Sequence, residues 1–165
     1  MFQTFFLGKE NVNNPLAREI ISIGKEIGKI FSNSIVGNIS VRYGKRILIT
    51  TYDEIASLTE DNLAEVVDYD VVRNIAFVIG KEEPSNETAM HWLIYRREGI
   101  NAIIHIHKLL SGLPTTEEEK PPGSLEIAME ALKLLKNNNC INLKNHGCIA
   151  IGENLRKAME AIPCL

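Results

Sequence analysis

The stretch Asn101-Ala-Ile-Ile-His-Ile-His107 predicts a β-strand, because isoleucine is enriched in strands. Side chains alternate between the two faces of a sheet, so Ile103, His105 and His107 share one face. Two imidazoles therefore point the same way from a rigid element. Two neutral imidazoles suit a shared metal ion, since histidine is the commonest metal ligand and a frequent ligand of zinc. The alternative is a pair of ordinary strand histidines that bind nothing.

A third histidine, His146, lies between two predicted strands, Cys140 to Lys144 and Cys148 to Ile151. The adjacent Gly147 permits a sharp backbone bend at this point. Three protein ligands with an open fourth position are the arrangement of catalytic zinc, whereas structural zinc sites use four ligands. The residues therefore predict a site of three histidines, although a turn histidine without a metal is also consistent with the pattern.

The segment Pro84-Ser-Asn-Glu87 opens a predicted helix, and two interpretations of it stay open. Glu87 in the first turn is explained by the helix dipole and the free N–H groups alone. The same N–H groups, together with Ser85 and Asn86, are also suited to a phosphate or a carboxylate. Gly37-Asn38 offers a similar choice between a simple turn and a backbone cradle for phosphate.

Two further residues near these motifs are interpreted as structural or supporting residues and not as metal ligands. His91 follows Glu87 by one helical turn and is interpreted as structural or as a support for the site. Cys148 follows His146 by two residues and is interpreted as a small buried hydrophobe rather than a fourth ligand.

The rest of the pattern alternates short strands with amphipathic helices. Isoleucines at helical spacing and Pro15 at the first position predict a helix to Phe31. Turn residues between β-branched runs predict two hairpins. The remaining predicted elements are a brief helix and two longer ones. The two hairpins pair Gly37–Tyr43 with Arg46–Thr50 and Glu65–Asp68 with Val71–Ile79. The brief helix spans Thr59–Leu63, and the longer helices span Gly123–Lys136 and about Asn154 to Pro163.

The composition narrows the class of protein. With 165 residues the chain has the size of one compact domain, which we expect to span residues 1–165. The net charge of −3 is spread along the chain, so we expect no nucleic-acid partner. Cys140, Cys148 and Cys164 form no C-x-x-C pair and favour a reducing cytoplasm. Without a long apolar run or a signal peptide, we expect a soluble, unexported protein that makes no membrane contact.

Six motifs occur in an order that is typical of one family. The chain resembles the class II aldolase/adducin family, whose members include enzymes that process L-fuculose 1-phosphate and L-ribulose 5-phosphate. The resemblance covers most of the chain from about Pro15 onward. The motifs are Val36-Gly-Asn-Ile-Ser-Val-Arg42, Ile47-Leu-Ile-Thr50, Pro84-Ser-Asn-Glu87 running into Met90-His91, His105-Ile-His107, Pro122-Gly-Ser124 and Asn145-His-Gly147.

The resemblance implies a fold and a set of site residues. The fold is α/β, with three α/β/α layers and a mostly antiparallel central sheet, and relatives are commonly homo-tetramers. One zinc ion per subunit would be bound by His105, His107 and His146, and Glu87 would act as acid/base. The residues implied for phosphate binding are Gly37, Asn38, Thr51, Ser85 and Asn86.

The implied reaction is the cleavage or formation of a C–C bond in a small phosphorylated ketose. Zinc would stabilise the enediolate that develops, so that no Schiff-base lysine is needed. A sugar-phosphate dehydratase, epimerase or decarboxylase is an alternative, because these reactions share that intermediate. A non-catalytic interaction module of the adducin type is the alternative from a different class.

Four departures from the family pattern concern substrate binding. The segment Thr50-Thr-Tyr-Asp-Glu54 lacks the usual glycine, and Asn86 replaces a serine. The loop 108–121 is shorter than in typical members and contributes no tyrosine. The segment after Asn145-His-Gly147 is short as well. We therefore expect an intact metal site beside a reduced substrate-binding apparatus.

Overall fold

The central sheet determines where every candidate residue lies. A computed structural model describes residues 2–163, and within them eight strands form one sheet in the order β1-β5-β4-β3-β2-β6-β8-β7. The β1–β5 pair is parallel and the other pairs are antiparallel. The strands are β1 (Gln3–Gly8), β2 (Gly37–Tyr43), β3 (Arg46–Thr50), β4 (Leu63–Asp70), β5 (Ile75–Ile79), β6 (Ala102–Ile106), β7 (Cys140–Leu143) and β8 (Gly147–Gly152).

Helices cover both faces of this sheet. Ile103 and Ile104 are both fully buried although they point to opposite faces, as expected for a strand that is covered on both sides. One apolar core contains residues of α1 and α4, and the other contains residues of α2 and α3. The three-layer, mostly antiparallel prediction is therefore confirmed. The helices are α1 (Leu16–Ile30), α2 (Thr88–Ile94), α3 (Leu125–Leu135) and α4 (Leu155–Glu160), with a 3-10 turn at Ile55–Ser57.

Two local predictions are wrong, both at turns. No helix forms at Thr59, because its N–H and hydroxyl both donate to the side chain of Asn62 and close a turn before β4 begins. The second hairpin turns at residues 71–74 rather than at Asp70. The Asp70 carboxylate accepts from the Arg73 backbone, and Asn74 adopts a left-handed conformation with φ of 58°.

Strand β6 lies between β2 and β8, and two glycines allow the chain to approach it closely. A Cβ on Gly37 would lie 2.1 Å from the carbonyl oxygen of His105, and one on Gly147 would lie 2.2 Å from that of Ile106. The register pairs Asn38 with His105. Only glycine permits this packing, which places β2 and the β7–β8 turn against the end of β6.

Two structural observations concern the expected reducing compartment and the expected lack of membrane contact. Cys140 and Cys148 are buried on β7 and β8, and Cys164 lies outside the described residues. None of the helices in residues 2–163 combines the length and the apolarity needed to cross a membrane.

Candidate metal centre

Four side chains converge at the end of β6. Glu87, His105, His107 and His146 each offer one ligand atom, and these atoms all lie within 4.8 Å of one another. The three imidazole centroids are 4.7 to 4.8 Å apart. The Glu87 carboxylate is 2.7 Å from Nε2 of His146 and 3.1 Å from Nε2 of His107. The structure thus brings together residues that are separated by up to 59 positions in the sequence.

A backbone carbonyl on the side away from the cluster fixes the orientation of His105. Its Nδ1 lies 2.8 Å from the carbonyl oxygen of Cys148, and a carbonyl only accepts, so Nδ1 carries the hydrogen. In the neutral ring Nε2 then presents a lone pair to the cluster, 3.1 Å from Nε2 of His146, whereas in the protonated ring Nε2 donates to the Glu87 carboxylate, 3.2 Å away. A backbone acceptor behind the distal nitrogen is the usual support of a metal-binding imidazole.

Glu87 reaches the cluster from the residue that precedes α2. The side chain is 1% exposed, and its Oε2 accepts from Nδ2 of Asn38 over 2.6 Å, while the backbone N–H of Glu87 donates to Oγ of Ser85 over 3.3 Å. Burial raises the pKa of Glu87, but the charge of His105 and the hydrogen bonds of the three histidines outweigh this effect. The pKa is held well below 4.5, so the buried side chain is an anion.

His107 marks the open side of the cluster. Its side chain is 34% exposed, compared with 12% for His146 and 0% for His105. The hydrogen bond to Glu87 raises the pKa of His107, burial opposes this, and the charges of Glu87 and Asp53 add to the increase. An incoming molecule would therefore meet His107 first.

The donor set fits a divalent metal ion. Three imidazole nitrogens and one carboxylate oxygen match the nitrogen-rich tetrahedral sites of zinc, whereas calcium and magnesium prefer oxygen ligands. The carboxylate adds a buried negative charge that a cation would neutralise. The thiol of Cys148 points elsewhere, since it contacts Cys140 and lies in the core beneath α1 and α4.

Two of the residues expected to bind phosphate touch the cluster directly. Asn38 and Ser85 both hydrogen-bond Glu87, and both are buried. Among the described residues, Oδ1 of Asn38 has no hydrogen-bond partner, which leaves a buried acceptor beside the carboxylate. Asn86, the residue before Glu87, is exposed.

The other two residues expected to bind phosphate have different surroundings. The N–H of Gly37 donates to the carbonyl of Asp53 over 2.9 Å, so this amide is already engaged. Thr51 lines a cavity of about 590 Å³ together with Glu82 and Glu83. Carboxylates in that cavity disfavour an anion.

A second group of polar residues lies beneath the centre; the sequence indicated His91 as structural or as a support for the site, but not its partners Ser40 and Tyr95. Oγ of Ser40 is 2.7 Å from Nδ1 of His91 and 2.7 Å from the hydroxyl of Tyr95. Burial lowers the pKa of His91 to about 3, the charge of His105 acts in the same direction and Glu87 opposes it, so the ring is neutral. The available signal was the alternation of the polar residues Asn38, Ser40 and Arg42 along one face of β2.

A larger cavity lies at the opposite end of α2. It has a volume of about 620 Å³ and none of the four clustered residues lines it. The walls include Arg42, Trp92, Tyr95 and Arg96. The clustered side chains supply all four candidate ligand atoms, and this cavity contributes none of them.

Known proteins share both the sequence pattern and the fold. A family model described as the class II aldolase and adducin N-terminal domain matches residues 18–115. A protein of Methanocaldococcus jannaschii named L-fuculose phosphate aldolase is 33% identical over 152 residues, covering 78% of this chain and 79% of that protein. The protein of the same name from Escherichia coli strain K12 is 29% identical over 176 residues, covering 88% of this chain and 77% of its own.

Solved structures extend the likeness to the fold. A structure titled L-fuculose 1-phosphate aldolase superposes with a TM-score of 0.76 at 24% identity, covering 95% of this chain and 84% of that one. The structure of l-fuculose-1-phosphate aldolase from Thermus thermophilus gives a TM-score of 0.66 at 21% identity, covering 90% of this chain and 85% of that one. At these identities the likeness establishes the fold.

Proposed function

The chain belongs to the class II aldolase and adducin family and is an enzyme of the class II aldolase type, and on this premise we propose that it is a zinc-dependent aldehyde-lyase. The reaction would cleave or form a C–C bond in a small phosphorylated ketose. The observation that supports the proposal most is the convergence of three Nε2 atoms on the buried carboxylate of Glu87. We take residues 1–165 as a single catalytic domain.

The proposed ligands are Nε2 of His105, His107 and His146, with the carboxylate of Glu87 within reach of the same position. Zinc is proposed because imidazole suits it better than it suits magnesium or calcium. When bound, the ion supplies Lewis-acid stabilisation of negative charge that develops on substrate oxygens. His105 is held for this task by the carbonyl of Cys148, and its full burial excludes water from that side.

Glu87 is proposed as the general acid/base. It is the carboxylate of the cluster, and Asn38 fixes Oε2 over 2.6 Å while His146 contacts Oε1 over 2.7 Å. A carboxylate held in this way can take a proton from a substrate hydroxyl or carbon and return it to the same face. Because Glu87 is 1% exposed, bulk water would not compete for that proton.

The substrate class follows from the relatives, which are named for a sugar phosphate. For this chain we propose a small phosphorylated ketose that enters beside His107, the exposed member of the cluster. Asn38 and Ser85 are the best supported of the proposed substrate-binding residues, because both touch Glu87. The complete proposed set is Gly37, Asn38, Thr51, Ser85 and Asn86.

We further propose a cytoplasmic homo-oligomer, a tetramer by resemblance to the family, with neither nucleic-acid nor membrane partners. The net charge of −3 is consistent with the absence of nucleic-acid binding. Light scattering coupled to size-exclusion chromatography measures the assembly directly. A mass near that of one 18.5 kDa chain would contradict the oligomer but not the chemistry.

The direct test is product release by the zinc-loaded protein from a panel of ketose phosphates that includes ketose 1-phosphates and pentulose 5-phosphates. We expect dihydroxyacetone phosphate or glycolaldehyde phosphate from at least one member. Glu87→Gln should lower kcat by about 100-fold or more, because general acid/base catalysis contributes on that scale. Glu130→Gln is the matched control, since Glu130 is also buried, at 8% exposure, but pairs with Lys133 on α3.

Three outcomes would contradict the proposal. Full turnover in Glu87→Gln removes Glu87 from the mechanism. If the metal-bound protein releases no product from any member of the panel, a dehydratase, epimerase or decarboxylase replaces the lyase as the proposed function. A folded wild-type protein that binds no metal favours the non-catalytic interaction module.

A further inference from the structure

Helix α2 meets strand β2 through a row of polar contacts that begins at the metal centre and continues into the core. Every second residue of the strand and every fourth residue of the helical segment takes part. We call this row the polar ladder. Its members are Asn38, Ser40 and Arg42 from the strand and Glu87, His91 and Tyr95 from the helical segment.

The first two rungs lie closest to the metal centre. Nδ2 of Asn38 donates to the Glu87 carboxylate over 2.6 Å. Two residues along the strand, Oγ of Ser40 lies 2.7 Å from Nδ1 of His91 and 2.7 Å from the hydroxyl of Tyr95. All five side chains are buried, and His91 and Ser40 are 0% exposed.

The third rung ends the ladder at the far end of α2. Nη1 of Arg42 donates to the carbonyl oxygen of Tyr95 over 2.7 Å, and the guanidinium also binds Asn101. Two strand residues span about 6.6 Å and four helical residues about 6 Å, so the two spacings match. The rungs can therefore form together in only one axial position of the helix on the strand.

The hydrogen bonds of the second rung form one chain. Oγ of Ser40 bridges Nδ1 of His91 and the hydroxyl of Tyr95. If Tyr95 donates to Ser40, Ser40 donates to Nδ1 of His91 and the ring hydrogen lies on Nε2; if Nδ1 of His91 donates to Ser40, the chain runs the other way. Either order couples the tautomer of His91 to the Ser40 and Tyr95 hydroxyls.

This arrangement is a poor way to gain stability. Nε2 of His91 is buried and, among residues 2–163, has no hydrogen-bond partner, and a buried polar nitrogen without a partner destabilises a fold. Apolar side chains of similar size would fill the same space without that cost. Buried polar groups that must pair with one another do, however, specify a single register.

We propose that Ser40, His91 and Tyr95 are positioning residues, which fix α2 on β2 and thereby hold the Glu87 carboxylate against the three histidines. A slip of the helix by one residue would move Glu87 by about 1.5 Å. Its contacts of 2.7 Å with His146 and 3.1 Å with His107 would not survive that movement. The catalytic importance of the ladder rests on the proposed acid/base role of Glu87, but its geometric effect does not.

The first test uses the side chains of the histidines as reporters in metal-free protein. The chain has 4 histidines, all of them in the ladder or the cluster, so a ¹⁵N spectrum of the imidazole rings is simple. Tyr95→Phe and Ser40→Ala should each shift the ring signals of the three cluster histidines. Wild-type His91 should show one dominant neutral tautomer, and Ser40→Ala should weaken that preference.

Tyr69→Phe is the matched control for Tyr95→Phe. Tyr69 is also buried, at 3% exposure, in the core beneath α2 and α3, but its hydroxyl donates to Asn74 in the turn after β4, outside the ladder. It should leave the signals of all four rings at their wild-type positions. Unchanged cluster signals in both ladder variants would overturn the proposal, and equal shifts in Tyr69→Phe would overturn it as well.

The second test separates positioning from folding through kinetics. Tyr95→Phe and Ser40→Ala should lower kcat by about tenfold or more while KM changes by less than about twofold, since small misplacements of a catalytic group act on turnover. The double variant should be no slower than the slower single one, because both changes break one chain of hydrogen bonds. If the kcat losses of the two single variants multiply in the double variant, or if Tyr69→Phe lowers kcat as much as Tyr95→Phe does, the ladder is contradicted. A wild-type protein without lyase turnover refutes the proposed function, and the ring spectra still decide the ladder.

Discussion

The metal centre and the adjacent segment Thr51 to Glu54 are built from different kinds of structure. His105 stands in β6 between β2 and β8, His107 directly follows β6, and Glu87 is held by the side chains of Asn38 and Ser85. Thr51 to Glu54, by contrast, is a mostly exposed loop after β3. Tyr52 in this loop is 44% exposed.

The difference indicates how the two tasks of the site are divided. Chemistry needs side chains held to within a fraction of an ångström, which rigid elements and their hydrogen bonds provide. Substrate selection tolerates variation, and loops carry it. We therefore expect changes at the cluster to abolish function and changes at the loop to tune it.

The largest expected effect is that of metal removal. Dialysis against a chelator should abolish turnover, and one equivalent of Zn²⁺ should restore it, because the cluster residues would lose their shared cation. Magnesium should restore little, since the cluster offers three nitrogens and one carboxylate. Turnover that persists in chelated protein with no residual zinc would show that the cluster is not the centre of catalysis.

The second effect is a loss of metal affinity in acid. The pKa of His107 is raised by its hydrogen bond to Glu87, and a proton must leave this ring before Nε2 can bind a metal. Below that pKa the apparent zinc affinity should fall by about tenfold per pH unit for each proton displaced. Competition titrations with a zinc indicator at several pH values measure the slope. A flat profile would remove His107 from the ligand set.

The two regions also differ in how far the sequence predicts them. Alternation along a strand placed His105 and His107 on one face from local pattern alone, and the structure gives the same arrangement. The three-layer sheet followed from the motif order. Neither result depended on contacts between distant residues.

Contacts between distant residues account for most of what the sequence did not predict. Ser40 lies 51 residues from His91 and 55 from Tyr95, so nothing local links them. Strand β1 was not predicted, and it exists by pairing in parallel with β5. The turn at residues 71–74 depends on Asn74 adopting a left-handed conformation, which asparagine tolerates but does not require.

The third effect concerns the stability of the metal-free protein. The pKa of Glu87 is lowered from 4.5, so its contribution is fully present above pH 4.5 and is lost as the pH falls through the folded value. The pKa of His107 is raised from 6.5, so its contribution is fully present below pH 6.5 and is lost as the pH rises. The pair should therefore stabilise most between pH 4.5 and 6.5.

Thermal unfolding of metal-free protein measures this window. Within it, His107→Ala should lower Tm by about 3 °C, which corresponds to roughly 1 kcal/mol for a chain of this size. The difference between variant and wild type should shrink above pH 6.5. A difference that grows with rising pH would mean that the ring is neutral in the metal-free cluster.

The smallest expected effect lies in the loop. Asp53 raises the pKa of His107 through its charge, so its carboxylate lies close enough to the open side of the centre to repel a phosphate. Asp53→Asn should lower KM for a phosphorylated ketose by about threefold and leave kcat unchanged. Asp61→Asn is the control, because Asp61 is exposed and pairs with Lys81. Equal effects of the two variants would place the repulsion elsewhere.

The central claim is that the cluster is a metal centre, and elemental analysis of purified protein tests it most directly. We expect one zinc ion per chain in the wild type and a large loss in His105→Ala, because His105 is the fully buried ligand that the Cys148 carbonyl orients. The variant should remain folded by circular dichroism. Wild-type protein without stoichiometric metal, or a His105→Ala variant with undiminished metal, would contradict the account.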